Sequence, residues 1–135
     1  MAYFLLKTDP QTYSIEDLAK EGRTRWDGVH SFAAIRYIKE MKPGDKALIY
    51  HSQGEASIVG LAEIVSEPYP NTDDPRTSWV VDIQFKKKFD TKITLAAIKA
   101  VKEFAALPLV RQGRLSVMSI PDDFVLWLRQ QKVMV

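Results

Sequence analysis

Trp26-Asp27-Gly28-Val29, with Arg25 before it and His30-Ser31 after it, is the stretch that decides how this chain is read. It has neither the alternation of a strand nor the spacing of a helix. Yet it joins two segments that are helical by local rules. Upstream, Ser14 sits at an N-cap with Asp17 in the capping-box position, Tyr13 is placed to staple onto Leu18, and Gly22 ends the segment. Downstream, Ser31 to Met41 carries Ala34, Ile35, Ile38 and Met41 as an apolar stripe at helical spacing. Helices inside a connection of this kind are foreign to a tight-hairpin β-sandwich. They predict an α+β domain of five or six strands, a small barrel or sheet wrapped by helices.

The strands lie outward from that stretch. Tyr3–Lys7 leaves no polar face and reads as a central strand, stopped by Asp9-Pro10. Lys46–His51 and Ile58–Val65 read as a hairpin, with Pro43-Gly44-Asp45 and Gln53-Gly54-Glu55 as turns. Residues 66–77 carry Pro68, Pro70, Asn71, Asp73, Asp74 and Pro75 and form a loop longer than most connections. From Ser78 onward Trp79, Val81, Ile83 and Phe85 alternate with Val80, Asp82, Gln84 and Lys86, a half-exposed strand that ends in Lys86-Lys87-Lys88. Thr94–Ile98 and Lys99–Ala106 read as short helices, Leu109–Gly113 as a link and Leu115–Met118 as a strand. Ser119 reads as the cap of a last helix, with Phe124, Trp127, Leu128 and Gln131 along one side.

The 135 residues suffice for one hydrophobic core, so residues 1–135 are read as a single domain. Cysteine is absent, which excludes disulfides, a thiolate nucleophile and thiolate-held metals. With His30 and His51 as the two histidines, no metal site is expected. The glycines form no dinucleotide fingerprint and no phosphate loop, so no nucleotide cofactor is expected either. Nineteen basic residues face 17 acidic ones, for a net charge of +2. That excludes a broad electrostatic grip on duplex DNA; contact with nucleic acid has to be local and shape-dependent. No apolar run approaches the roughly 18 residues of a membrane span, and the N-terminus reads as a strand rather than a leader. The expectation is a cytoplasmic protein without a membrane partner, monomeric by default.

Four clusters carry candidate chemistry. Gly28 lets the backbone turn or approach a ligand closely, and Trp26 is either a flat face for a base or a core residue beside a turn. Lys7-Thr8-Asp9-Pro10 sets a cation and a hydroxyl at a strand exit, where a base edge or phosphate, or simply a turn, uses them. Tyr50-His51-Ser52 closes another strand. His51, Ser52 and Asp27 name the parts of a nucleophilic triad, but adjacent side chains on a strand point opposite ways and no nucleophile elbow is present. Arg111-Gln112-Gly113-Arg114-Leu115-Ser116 groups two forked phosphate donors with an amide for a base edge, or forms a solvated loop.

Taken in order, these residues resemble the EVE domain family, a branch of the PUA-like fold. The matching pieces are Phe4–Pro10, Tyr13–Leu18, Trp26–Val29, Met41–Asp45, Tyr50–Ser52, Val59-Gly60, Tyr69-Pro70, Trp79–Asp82 and Arg111–Ser116, which together cover nearly the whole chain. The resemblance implies a PUA-like pseudo-barrel of mixed strands and a binding pocket rather than a catalytic centre. It implies a reader of modified bases, with 5-methylcytosine in DNA the leading ligand and RNA the alternative, the base being flipped out or taken from a single strand. It implies that the base meets Lys7, Thr8, Trp26, Val29, His30, Ser31, Tyr50, His51, Ser52, Gln112 and Ser116, and that Arg111 and Arg114 hold phosphates. The chain departs from the family after Val29. Where the family usually continues Arg-Asn-Tyr-Gln-Ala-Arg-Asn, this chain has His30-Ser31-Phe32-Ala33-Ala34-Ile35-Arg36. Two other classes stay in view: a small nucleic-acid hydrolase using His51, Lys7 or Asp27, and a protein-interaction domain in which Trp26 and Trp79 are core and residues 66–77 dock a partner.

Overall fold

The computed structural model describes residues 1–135. The apolar run at the start becomes β1 (Tyr3–Thr8), which pairs in parallel with β3 (Lys46–His51) and antiparallel with β7 (Val117–Ile120). With a strand on each edge β1 is central, and Phe4, Leu5 and Leu6 are buried on both faces, as a run without a polar face requires. β3 turns back on β4 (Ser57–Ile64), which pairs with β6 (Trp79–Thr94). β6 then pairs with β2 (Arg23–Trp26) and with the two-residue β5 (Tyr69–Pro70).

The sheet therefore has seven strands in the order β2-β6-β4-β3-β1-β7, with β5 to the side on β6. The sequence indicates five of these. β2 and β5 were not legible, because each is short and holds its place only through partners on β6. β6 also runs past the expected stop at Lys86-Lys87-Lys88, as far as Thr94. Two register shifts against β4 let this long strand bend and keep pairing. Val80, expected on the exposed face, is fully buried at the point where β5 pairs with β6.

The capping-box segment is α1 (Ile15–Glu21), with the Ser14 side chain accepting from Asp17 N–H and the Asp17 side chain accepting from Ser14 N–H. It rests on β4 at Gly60, where a Cβ would come within 2.4 Å of Ile15 Cδ1. α2 (Phe32–Glu40) buries Ala34, Ile35 and Ile38, with Met41 just beyond its end also in the core. It packs against both β7 and β6, which stand four places apart in the sheet order. Only a curled sheet brings those strands to one helix, so the sheet is a pseudo-barrel left open between its ends.

The rest of the chain closes the far side. α3 (Leu95–Lys99) is capped by the Thr94 side chain, as expected. Lys99–Ala106 holds only a single 3-10 turn, Lys102–Phe104, rather than a second α-helix. The expected link contains α4 (Pro108–Arg111), because Pro108 opens a helical turn at its first position instead of interrupting one. α5 (Asp122–Gln130) follows β7, and Ser119 is not its cap. Ser119 pairs within β7, and Pro121 takes the N-cap position without a side-chain hydrogen bond. Phe124 and Leu128 are buried and Trp127 is half-buried, whereas Gln131 is exposed beyond the helix end. Phe104, Phe124 and Trp127 pack with ring centroids 5.0–5.6 Å apart. No helix is long and apolar enough to cross a membrane.

Candidate functional site

The opening between the two ends of the sheet is a cleft of about 380 Å³. β1 supplies Lys7 and Thr8, β2 supplies Thr24, Arg25 and Trp26, and Ser116 stands just before β7. Thr12 and Tyr13 close one end from the approach to α1, and Asp27, Gly28 and Val29 close the other. The Trp26–Val29 stretch is thus a strand end followed by three residues of irregular chain. Trp26 ends β2 opposite Val81. Gly28 then turns the chain at φ +78°, a conformation few side chains tolerate, although the space around it is open. Val29 tucks back into the core, and its carbonyl accepts the buried Ser78 hydroxyl at 2.8 Å.

Trp26 is both things that its sequence context allowed. It lines the cleft, but only 7% of it is exposed and Tyr13 packs edge-on against it with centroids 6.1 Å apart. It offers a ligand a wall rather than a free face. Tyr13 itself is half-exposed, and its hydroxyl donates to Glu21. Burial and that acceptor carboxylate push the phenol up to about 12, so it stays protonated.

Lys7 is the electrostatic centre of the cleft. It is half-buried, and burial holds its ammonium below the ordinary lysine value. Its Nζ donates to the Gly113 carbonyl at 3.1 Å and lies 5.7 Å from the Tyr50 ring centroid. It forms no ion pair. Arg25, by contrast, is shared between Asp27 at 3.8 Å and Asp73 at 3.3 Å. The Thr8 hydroxyl donates to the Tyr13 carbonyl at 2.7 Å and so fixes one cleft wall to the other. No group of three metal-ligating side chains exists anywhere in the chain.

Of the residues named from the sequence, Lys7, Thr8, Trp26, Val29 and Ser116 meet in this cleft, and the others stand elsewhere. Tyr50 is buried beneath Lys7. His51 lies on the opposite side of α1, where its Nε2 accepts the Ile15 N–H at 3.0 Å. Ser52 donates to the Thr8 carbonyl at 3.3 Å. With Asp27 at the cleft, the three parts of a triad are held apart by three unrelated contacts. His30 reaches back to Asp74 at 2.5 Å, and this contact holds the Asp74 carboxyl below the usual range. Ser31 caps α2, its side chain accepting from Ala34 N–H. Arg111 donates to the Ala105 carbonyl, while Gln112 and Arg114 are solvent-exposed. Only the backbone around Gly113 and Ser116 reaches Lys7. The sequence missed Thr12, Tyr13, Thr24 and Arg25 as cleft residues. Tyr13 stood out only as a helix staple and a family-motif residue, and the others by no motif; the pairing of β2 with β6 and the Thr8–Tyr13 bond bring them in.

Residues 2–131 match the EVE domain. The chain belongs to the EVE domain family. It is 29% identical to human thymocyte nuclear protein 1 over 97% of this chain and 75% of that one. Its structure is similar to that of a protein from Leishmania major, with a TM-score of 0.87 and 33% identity over 98% and 96% of the two chains. It is also similar to human THYN1 protein solved in complex with 5-methylcytosine containing DNA. There the TM-score is 0.82 and the identity 30%, over 95% and 97% of the two chains. The curled mixed sheet is the PUA-like form that an EVE domain implies. Three of the departures from the family after Val29 serve the scaffold. Ile35 is a core residue of this EVE domain, Ser31 a helix cap, and His30 a tie to the 66–77 loop.

Proposed function

We propose that this EVE domain is a non-catalytic reader of 5-methylcytosine in DNA, taking the base into the cleft between β1 and β2. The observation that carries it is Lys7, a half-buried cation without a counter-charge inside a base-sized cleft. Such a group gains most from a ligand that brings acceptor oxygens to it, as a pyrimidine carbonyl or a backbone phosphate does. The volume lies at the small end of the roughly 300–1,000 Å³ range of ligand pockets, which suits a single base better than a dinucleotide. Thr12, Thr24 and Ser116 border it as hydroxyl-bearing residues, and Trp26 and Tyr13 give it apolar surface for a methyl group. The similar human THYN1 protein, solved with 5-methylcytosine containing DNA, supports the same ligand class.

The test is fluorescence anisotropy at one stated salt concentration. The panel holds single- and double-stranded DNA and RNA, each with unmodified, 5-methyl and 5-hydroxymethyl cytosine. A preference for 5-methylcytosine DNA of at least about tenfold, about 1.4 kcal/mol, is expected. Equal binding across the panel overturns the proposal.

A further inference from the structure

Phe32 is the most exposed large apolar residue of the chain, at 87%. It is not on a loose end. It is the first residue of α2, directly behind the Ser31 cap, and that helix is pinned to the core through Ala34, Ile35 and Ile38. Isolated apolar residues on a surface are ordinary. Phe32, however, is mounted on a helix anchored in the core and stands only three residues along the chain from the cleft. Val29 lines the cleft, and three peptide units carry the chain from it to Phe32, so the two Cα atoms lie within about 11 Å. One turn further along the helix stands Arg36, exposed and free of any ion pair.

An aromatic side chain with an unpaired cation one turn behind it matches a base stack bordered by phosphates. We propose that this face of α2 docks on a DNA duplex, with Phe32 entering the stack to fill the place of the base drawn into the cleft and Arg36 holding a flanking phosphate. The inference rests on the base-reading proposal and adds the surface that delivers the base. Drawing a base from a duplex forfeits its stacking and pairing, and proteins that open a base step commonly insert an apolar side chain there. With a net charge of only +2, the chain has no broad field to hold a distorted duplex, so local plugging carries more of the work. A single strand leaves no gap to fill. The effect of Phe32 therefore depends on the format of the DNA.

The experiment compares wild type, Phe32→Ala and Phe32→Leu on one DNA sequence with a single 5-methylcytosine, as a duplex and as a single strand. Phe32→Ala is expected to weaken duplex binding about tenfold and single-strand binding by less than about twofold. Phe32→Leu keeps most duplex binding, because leucine also serves as a wedge. Arg36→Gln is expected to lower the salt slope by about one unit in both formats. Both side chains are solvent-exposed, so melting temperatures should match wild type. Equal loss in the two formats, or no loss on the duplex, overturns the wedge. Wild-type preference for methylcytosine in the single strand without duplex binding overturns the wedge and leaves base reading standing. No preference in either format overturns both. Dimerisation lost in Phe32→Ala, with duplex binding unchanged, assigns this face to a second copy of the chain instead.

Discussion

Two clefts flank the start of α1, and they differ in how their charges are used. The one beside Trp26 measures about 380 Å³ and holds Lys7, which has no carboxylate partner. The one beside His51 measures about 430 Å³ and holds Lys88 and Lys92. There each cation is matched: Lys88 to Glu16 at 2.6 Å and Lys92 to Glu55 at 2.6 Å. His51 is matched as well, through the Ile15 amide. Size alone does not separate the two hollows. The His51 side pairs its cations with carboxylates, and the Trp26 side leaves a half-buried cation with one carbonyl acceptor and no carboxylate. A half-buried cation without a carboxylate partner is where a ligand carrying acceptor oxygens gains most.

The largest expected effect tests how far Trp26 belongs to the fold. Trp26→Ala should lower stability by about 3–5 kcal/mol in urea unfolding, as truncation of a buried tryptophan does. A loss below about 1 kcal/mol means that the indole serves the ligand alone. Next comes a matched pair of lysines. Lys7→Met should weaken binding of 5-methylcytosine DNA by about tenfold while leaving stability unchanged or slightly higher, because it removes a half-buried unpaired charge. Lys88→Met removes an exposed ion pair and should cost less than about 1 kcal/mol of stability, with no change in binding. If Lys88→Met weakens binding as much as Lys7→Met, the two clefts have been assigned the wrong roles.

The smallest effect concerns pH. Burial lowers the His51 value below 6.5, and the Nε2 that accepts the Ile15 amide is the unprotonated one. The fold therefore binds fewer protons than the unfolded chain. This contribution is complete above about pH 6.5 and is lost as the pH falls from there through the lowered folded value. Urea midpoints should fall between pH 7.5 and 5.5 in wild type and fall less in His51→Gln, whose side-chain oxygen still accepts from Ile15. Equal slopes in both proteins remove His51 from this role.

Much of the frame was legible because it rests on local rules. The Ser14–Asp17 capping box, the Ala34-Ile35-Ile38 stripe and the unbroken Tyr3–Leu6 run need only neighbours in sequence to specify their state. β2 and β5 were not legible, since strands this short exist only by pairing with β6. For the same reason four of the eleven cleft residues were not legible. Lys7, Thr8, Trp26, Val29 and Ser116 stood out as residue types, whereas Thr12, Tyr13, Thr24 and Arg25 enter the cleft by where the chain takes them.

The sequence by itself determined the α+β class, the family and the chemistry on offer: no thiolate, few histidines, a near-balanced charge and one glycine turn after Trp26. The tertiary structure decided which of the offered groups stay unpaired. Tyr50, His51 and Ser52 follow one another on or just after β3, yet one lies beneath Lys7, one is bonded to α1 and one to β1. Pairing across a curled sheet is non-local, and alternation sends neighbouring side chains to opposite faces. Only the curled geometry of strands far apart in sequence left Lys7 without a carboxylate beside an opening.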